Sequence, residues 1–295
     1  MSAAVAPARR PFGERLAEAM DSHGPLCVGI DPHPGLLAAW GLPDDATGVR
    51  EFGLRVVEAV GGHVAALKPQ SALFERHGSR GVAALEEVLA AAAATGPSGT
   101  LTIVDAKRGD IGSTMAGYAD AYLRDGSPLA GDALTVSPYL GFGSLTPAVA
   151  AALETGRGLF VLCLTSNPEG ASVQHARTGA GADVRSVAAR IAAEAAALNE
   201  GVDPLGSIGL VVGATIGDAA RNTGVDLPAV NGPLLAPGVG AQGAGATELA
   251  AVFGAARRQV LASTSRGVLA AGPDAASLLA AARTASREAA DALRG

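Results

Sequence analysis

With 295 residues the chain can form one large α/β barrel or two ordinary domains, and either buries a sizeable core. A net charge of −6, no lysine-rich run and only 3% aromatics argue against nucleic acid as a partner, since that surface needs a basic face and stacking platforms. Alanine lifts the apolar share to 48%, but Glu, Arg, Asp or Gly interrupts each longer apolar stretch before it could span a bilayer, so neither a transmembrane helix nor a membrane partner is expected.

Residues 1–10 carry Arg9 and Arg10 after small residues and lack the apolar segment of a secretory signal. They read as a disordered tail on a cytoplasmic protein, ahead of a single domain over 11–295. Cys27 and Cys163 each lie in an apolar, strand-like run, the usual place of a buried reduced thiol, and nothing about them suggests a disulfide framework.

Short β-rich runs then alternate with alanine-rich helical segments. The runs are 26–30, 64–67, 101–104, 133–136, 159–164, 208–212, 234–236 and 259–262. Helical spacing, with apolar positions three and four apart, is clear over 82–94, 184–198 and 275–293. Near-continuous apolar strands separated by helices predict a parallel sheet covered by helices. Eight strands is the number that closes a (β/α)8 barrel with a parallel eight-stranded core, the fold class expected here. An open doubly wound sheet competes, weakened by the absence of a Gly-x-Gly-x-x-Gly turn after the first run.

Barrel enzymes place their chemistry at the C-terminal ends of the strands. Those ends carry Asp31 after the first run, Lys68 after the second, Asp105 and Lys107 after the third, Ser137 after the fourth and Thr165-Ser166-Asn167 after the fifth. The seventh leads into a glycine-rich loop running from Pro237 through Gly240 to Gln242, and the eighth into Ser263-Thr264-Ser265-Arg266-Gly267. Glycines let backbone N–H groups approach an anion, and an arginine in the neighbouring loop can grip phosphate oxygens through its planar fork. Together these two loops predict a phosphate cradle.

The segment Asp105-Ala106-Lys107-Arg108-Gly109-Asp110-Ile111 is four-sevenths charged, yet it follows directly on an apolar run. Side chains two apart on a strand share a face, so a strand continuing to Lys107 points Asp105 and Lys107 the same way. Asp110 follows on a turn opened by Gly109. Two carboxylates and an ammonium gathered within a few ångströms would keep one another ionised and titrate together. The competing reading is a solvated loop of alternating charges. Five scattered histidines show no pair at metal-ligand spacing; His33, close to the strand end at Asp31, could line a pocket, but between two prolines it reads as a solvated loop residue.

Asp105-x-Lys107-x-x-Asp110-Ile111-x-x-Thr114, with the loop from Pro237 to Gly243 and the arginine after the eighth strand, resembles the orotidine 5′-phosphate decarboxylase family over Leu26 to about Gly267. The flanking Asp-Ala-Lys-Arg-Gly-Asp-Ile-Gly-Ser-Thr and Thr-Ser-Asn-Pro-Glu-Gly segments resemble its longer bacterial branch. The resemblance implies a cofactor-free, metal-free decarboxylation of orotidine 5′-phosphate to uridine 5′-phosphate (UMP). Lys107 would deliver a proton to C6 as carbon dioxide leaves, and Asp105 would lie beside the substrate carboxylate. Lys68 would orient Asp105 and contact the ribose, and Asp31 would bind a ribose hydroxyl. Asp110, with Ile111 and Thr114, would reach into the site of a second subunit, implying a homodimer with shared active sites. Ser166 would bond the pyrimidine and Gln242 would bridge pyrimidine and phosphate. Arg266, with Pro237, Gly240 and Ser265 in the two cradle loops, would hold the phosphate.

Three features fall outside the family pattern. The segment 167–183 is long for a βα loop and is expected near the site mouth or the dimer interface. Arg108 reads as solvated, with a subunit partner as the alternative, and the Pro- and Gly-rich stretch 31–40 has no sharp chemical assignment. Two rival functions are a magnesium-dependent sugar-phosphate decarboxylase or aldolase of the same suprafamily and a non-catalytic nucleotide-phosphate binding protein. The first needs an extra carboxylate for the metal where this chain has Lys68. The second would be expected to lose its costly clustered charges, all of which are present.

Overall fold

The computed structural model describes residues 9–95, 99–239 and 243–294. Eight parallel strands form a closed barrel: β1 (Leu26–Ile30), β2 (Ala66–Pro69), β3 (Leu101–Arg108), β4 (Ala133–Val136), β5 (Gly158–Leu164), β6 (Ile208–Val212), β7 (Leu234–Pro237) and β8 (Val260–Thr264). Closure comes from β1, which pairs with β2 on one side and β8 on the other. The expected barrel is therefore the observed fold.

Helix α1 (Phe12–His23) precedes the barrel. After successive strands come α2 (Ala46–Val60), α3 (Gly78–Ala93), α4 (Gly112–Leu123), α5 (Thr146–Glu154), α6 (Val187–Leu198), α7 (Ala219–Thr223), α8 (Ala246–Phe253) and α9 (Ala275–Leu293). In α2 the residues Val49, Phe52, Val56 and Val60 recur at helical spacing and are fully buried, and Asp45 caps the helix by accepting from the N–H groups of Thr47 and Gly48. Asp274 caps α9 through Ser277 N, and Ser186 caps α6 through Ala189 N.

The strand period divides the core in two. Outward residues such as Val28, Leu67, Val104, Leu134, Val161 and Leu210 pack against the helices. Inward residues Cys27, Ala66, Ile103, Ala133, Phe160, Val211, Leu235 and Leu261 form a second cluster with Phe12, Leu16 and Ala19 of α1, which closes the N-terminal end of the barrel. Phe12 meets Phe160 edge to face at 5.8 Å. Gly158 makes room for it, because a Cβ there would lie 2.1 Å from the Phe12 ring. Cys27 and Cys163 are both free and buried, one facing inward and one outward.

Several boundaries differ from expectation. β3 runs on to Arg108 instead of stopping at Val104, because pairing with β4 resumes beyond a register shift, Arg108 opposite Val136. β2 begins at Ala66, not Val64, and runs to Pro69, so Lys68 lies within the strand and not after it. Residues 1–8 lie outside the described residues. Arg9 and Arg10, assigned by sequence to the tail, are tied down: Arg9 pairs with Asp125 at 3.0 Å and Arg10 with Glu14 at 2.9 Å.

Candidate active site

The inward face that is apolar at the floor turns polar near the C-terminal ends of the strands. Lys68 follows Ala66 by two residues, Asp105 follows Ile103, Thr135 follows Ala133 and Ser263 follows Leu261, so the same period that builds the floor delivers these groups to the mouth. Asp105 is buried and accepts four hydrogen bonds. Oδ2 takes Lys68 Nζ at 2.7 Å and Gln70 Nε2 at 3.1 Å, while Oδ1 takes Lys107 Nζ at 2.6 Å and the Thr135 hydroxyl at 2.9 Å. Burial works to raise the Asp105 pKa, but Lys68 and then Lys107 outweigh it and hold it down at about 2. Lys68 is likewise disfavoured by burial, and the attraction of Asp105 and Asp31 lifts its pKa above the ordinary lysine value.

These are the only two lysines in the chain; every other basic side chain, histidine aside, is an arginine. The compact ammonium occurs only where two of them share one carboxylate. This count is a plain sequence signal, as is the inward register of Thr135, yet the sequence reading singles out neither Thr135 nor Gln70.

Lys107 adopts a left-handed backbone, φ 48°, at the register shift in β3. For a residue with a Cβ this costs about 1–3 kcal/mol. Its N–H donates to Thr135 Oγ1 at 2.9 Å, so one hydroxyl links the strained backbone to the carboxylate that the ammonium of the same residue grips. Bulges of this kind re-aim side chains next to sites.

Beside this network lies a cavity of about 770 Å³ lined by Asp31, His33, Gly238, Val239, Gly243 and the segment 263–267. Gly29 sets its wall: a Cβ there would stand 2.0 Å from Ser265 Oγ and 3.2 Å from Asp31 Oδ2. Asp31 Oδ1 is buried without a hydrogen-bond partner among the described residues. Arg266 lines the cavity and has no ion-pair partner among the described residues, so its fork is available to an anion. Beyond Pro237 the chain turns at Gly238, φ 92°, and Ala244 N bonds back to Gly238 O; a Cβ on Gly243 would lie 1.9 Å from that oxygen. Gly240 and Gln242, the remaining loop candidates, lie outside the described residues. Ser166 is exposed at the end of β5, close to Gly213, where a Cβ would sit 3.3 Å from that of Ser166.

Asp110 does not join the lysines of its own chain. Its Oδ1 accepts from Ile111 N at 2.7 Å, and no ion pair forms among the described residues. Thr114 is exposed, and Ile111 is 62% exposed. Tyr139 and Leu140, in the loop after β4, are exposed as well, at 77% and 54%.

Arg108 is not the solvated arginine expected from sequence. It pairs with Glu75, bonds the Tyr122 hydroxyl at 3.1 Å, and lies over the Tyr118 and Tyr122 rings at 5.5 and 5.6 Å. The long segment after β5 divides into two parts. Gln174 secures the first by accepting from Thr165 N and donating to Thr165 Oγ1, and the second is a short ribbon, Arg177–Thr178 against Arg185–Ser186, tied to α6 through Arg190 and Asp183. His33 is exposed and borders the cavity, so both readings of it hold in part.

The model of the orotidine 5′-phosphate decarboxylase / HUMPS family matches residues 24–281. The chain is 60% identical over 272 residues to an orotidine 5′-phosphate decarboxylase of Streptomyces coelicolor, covering 92% of this chain and 94% of that protein. It is also 60% identical over 271 residues to one of Salinispora arenicola, with the same coverage. Among solved structures, a Streptomyces avermitilis protein described as an orotidine 5′-phosphate decarboxylase superposes with a TM-score of 0.91 at 59% identity, covering 98% of each chain. The Leishmania donovani OMP decarboxylase does so with a TM-score of 0.72 at 31% identity, covering 97% of this chain and 99% of that one. With a family model spanning most of the chain and relatives this similar across nearly their full length, the chain belongs to the orotidine 5′-phosphate decarboxylase family.

Proposed function

We propose that this chain is a carboxy-lyase that converts orotidine 5′-phosphate to UMP, the last step of de novo UMP synthesis, with Lys107 as the proton donor. The observation that carries the residue assignment is the Lys68–Asp105–Lys107 chain of ion pairs, buried at Lys68 and Asp105 and open to solvent at Lys107, beside an arginine-bearing cavity.

Loss of carbon dioxide leaves an electron pair on an sp² carbon, C6, that the pyrimidine ring delocalises poorly. The protein's contribution is then a fixed electrostatic field that favours the carbanion over the substrate carboxylate. Lys107 supplies it. As the C6–carboxyl bond breaks, negative charge moves onto C6, the ammonium's attraction grows, and its proton completes the C6–H bond of UMP. Asp105, kept ionised by two ammonium groups, holds Lys107 in place and lies beside the substrate carboxylate. Repulsion between those two carboxylates is a secondary contribution. Lys68 fixes Asp105 from the other side.

Arg266, with Ser265 and the Pro237–Gln242 loop, holds the phosphate, and Asp31 takes a ribose hydroxyl on its unpartnered Oδ1. Ser166 and Gln242 bond the pyrimidine. Binding energy from the phosphate then serves to order the charged groups around C6. Asp110, which forms no ion pair among the described residues, completes the site of a second copy, with Ile111 and Thr114 beside it; exposed Ile111, Tyr139 and Leu140 supply apolar surface for that contact. The magnesium-dependent alternative needs a further carboxylate where Lys68 stands. Two free buried thiols fit a cytoplasmic location, and no helix among the described residues is long and apolar enough to cross a membrane.

The test is turnover of orotidine 5′-phosphate by the purified protein, with and without a chelator. Equal formation of UMP and carbon dioxide in both arms is expected. No turnover, or turnover abolished by the chelator, would overturn the proposal.

A further inference from the structure

We infer that Arg108 is a positioning residue for Lys107, acting from the outer side of β3 through a clamp formed by Glu75, Tyr118 and Tyr122; the inference rests on the reading of Lys107 as proton donor. Lys107 and Arg108 are neighbours at the register shift of β3, one turned into the barrel and the other outward among the helices. The left-handed backbone of Lys107 is unfavourable by itself. From Val104 to Arg108 β3 uses four residues where β4, from Leu134 to Val136, uses two, so the aim of Lys107 depends on what fixes this irregular stretch.

The clamp fixes that stretch from its outer side. The Arg108 guanidinium bonds Glu75, on the short helix Ser71–Glu75 that follows β2, and the Tyr122 hydroxyl on α4, and it lies over two tyrosine rings. Ser71 bonds the same Glu75 carboxylate. On its backbone, Arg108 O accepts from Ser137 N at 2.8 Å, anchoring the strand just past the bulge. The clamp thereby ties the helix after β2, the strand that carries Lys68, to the helix after β3, the strand that carries Lys107. A planar fork that reaches a carboxylate and a hydroxyl while stacking on rings is beyond a lysine, so Arg108→Lys restores little.

Arg108→Gln, Arg108→Lys and Glu75→Gln are compared with Arg157→Gln, which removes a buried arginine paired with Asp125 at the opposite end of the barrel. Expected for Arg108→Gln is a kcat lower by about 10- to 100-fold, the size of effect that misplacing a reacting group by about 1 Å produces, with KM and UMP affinity within about twofold. Arg108→Lys recovers only part of this, and Arg157→Gln lowers stability without lowering kcat. Should Arg108→Gln fold poorly, Glu75→Gln shows the same split in kcat and KM.

Because the chain has only two lysines, acylation of Lys107 followed by peptide mass spectrometry reads its surroundings without substrate. Its labelling rate should change at least about threefold in Arg108→Gln, as loss of an ion-paired geometry shifts amine reactivity. An unchanged kcat, a rise in KM alone, an unchanged labelling rate, or an equal kcat loss in Arg157→Gln overturns the inference. Absent turnover in the unmodified protein overturns instead the proposed function, and the labelling comparison still decides whether the clamp holds Lys107.

Discussion

The floor and the mouth of this barrel are built on the same inward face by the same two-residue period, and they do opposite things. At the floor, Phe12 and Leu16 of α1 fill the space between Phe160, Ile103 and Leu261, so burial there stabilises. One repeat higher, Lys68 and Asp105 occupy equivalent inward positions and are buried, with Lys107 above them at the bulge. Buried charges cost desolvation, and excellent geometry is needed merely to offset it. The contrast separates what holds the fold from what the fold is for.

Removing a group from each layer sharpens the contrast. Asp105→Asn leaves two ammonium groups without their shared carboxylate. Breaking such a buried pair is expected to cost about 3–5 kcal/mol of stability, together with a fall in kcat of at least about 10²-fold, the scale of a positioned proton donor. Phe12→Ala is expected to cost a similar 3–5 kcal/mol or so by cavity formation, with kcat unchanged. Denaturant titration alongside steady-state kinetics checks both. Parallel losses of activity in the two variants would erase the distinction between the layers.

The next expectation concerns the two chains of the proposed dimer. Lys107→Ala and Asp110→Ala subunits should each be nearly inactive alone, and mixing them should restore roughly a quarter of full activity, because half of the dimers formed at random are mixed and one of their two sites is intact. No recovery on mixing would show that Asp110 serves its own chain. Smaller still, Arg266→Gln should weaken phosphate binding by about 1.5–3 kcal/mol, the range for a charged hydrogen bond, seen as a higher KM.

A further effect, confined to low pH, is on acid stability. Asp105 has its pKa lowered to about 2 in the folded protein, against about 3.9 unfolded. Its contribution, about 2–3 kcal/mol, is therefore complete above pH ~4 and lost as the pH falls through about 2. Asp105→Asn should lack this part of the acid slope in a denaturation series.

Much of this architecture is legible in the chain. Near-continuous apolar runs between helical segments specify a parallel barrel, and the count of strands closes it. The shared face of Asp105 and Lys107 follows from their spacing, and the structure places them 2.6 Å apart. The extent of β3 was less legible, since a bulge at Lys107 depends on pairing with β4, which no local pattern encodes. Arg108 is the instructive miss: inside a charged run it looks solvated, and only the packing of Glu75, Tyr118 and Tyr122 against β3 makes it a fixed group. Thr135 belongs to a run whose inward register could be counted, but its role as a link between Lys107 N and Asp105 requires the neighbouring strand.

The most direct test is turnover of orotidine 5′-phosphate by Lys107→Ala beside the unmodified enzyme, with UMP affinity measured in both. The account predicts a kcat lower by at least about 10² to 10⁴ with UMP binding retained. Undiminished turnover by the variant would contradict it.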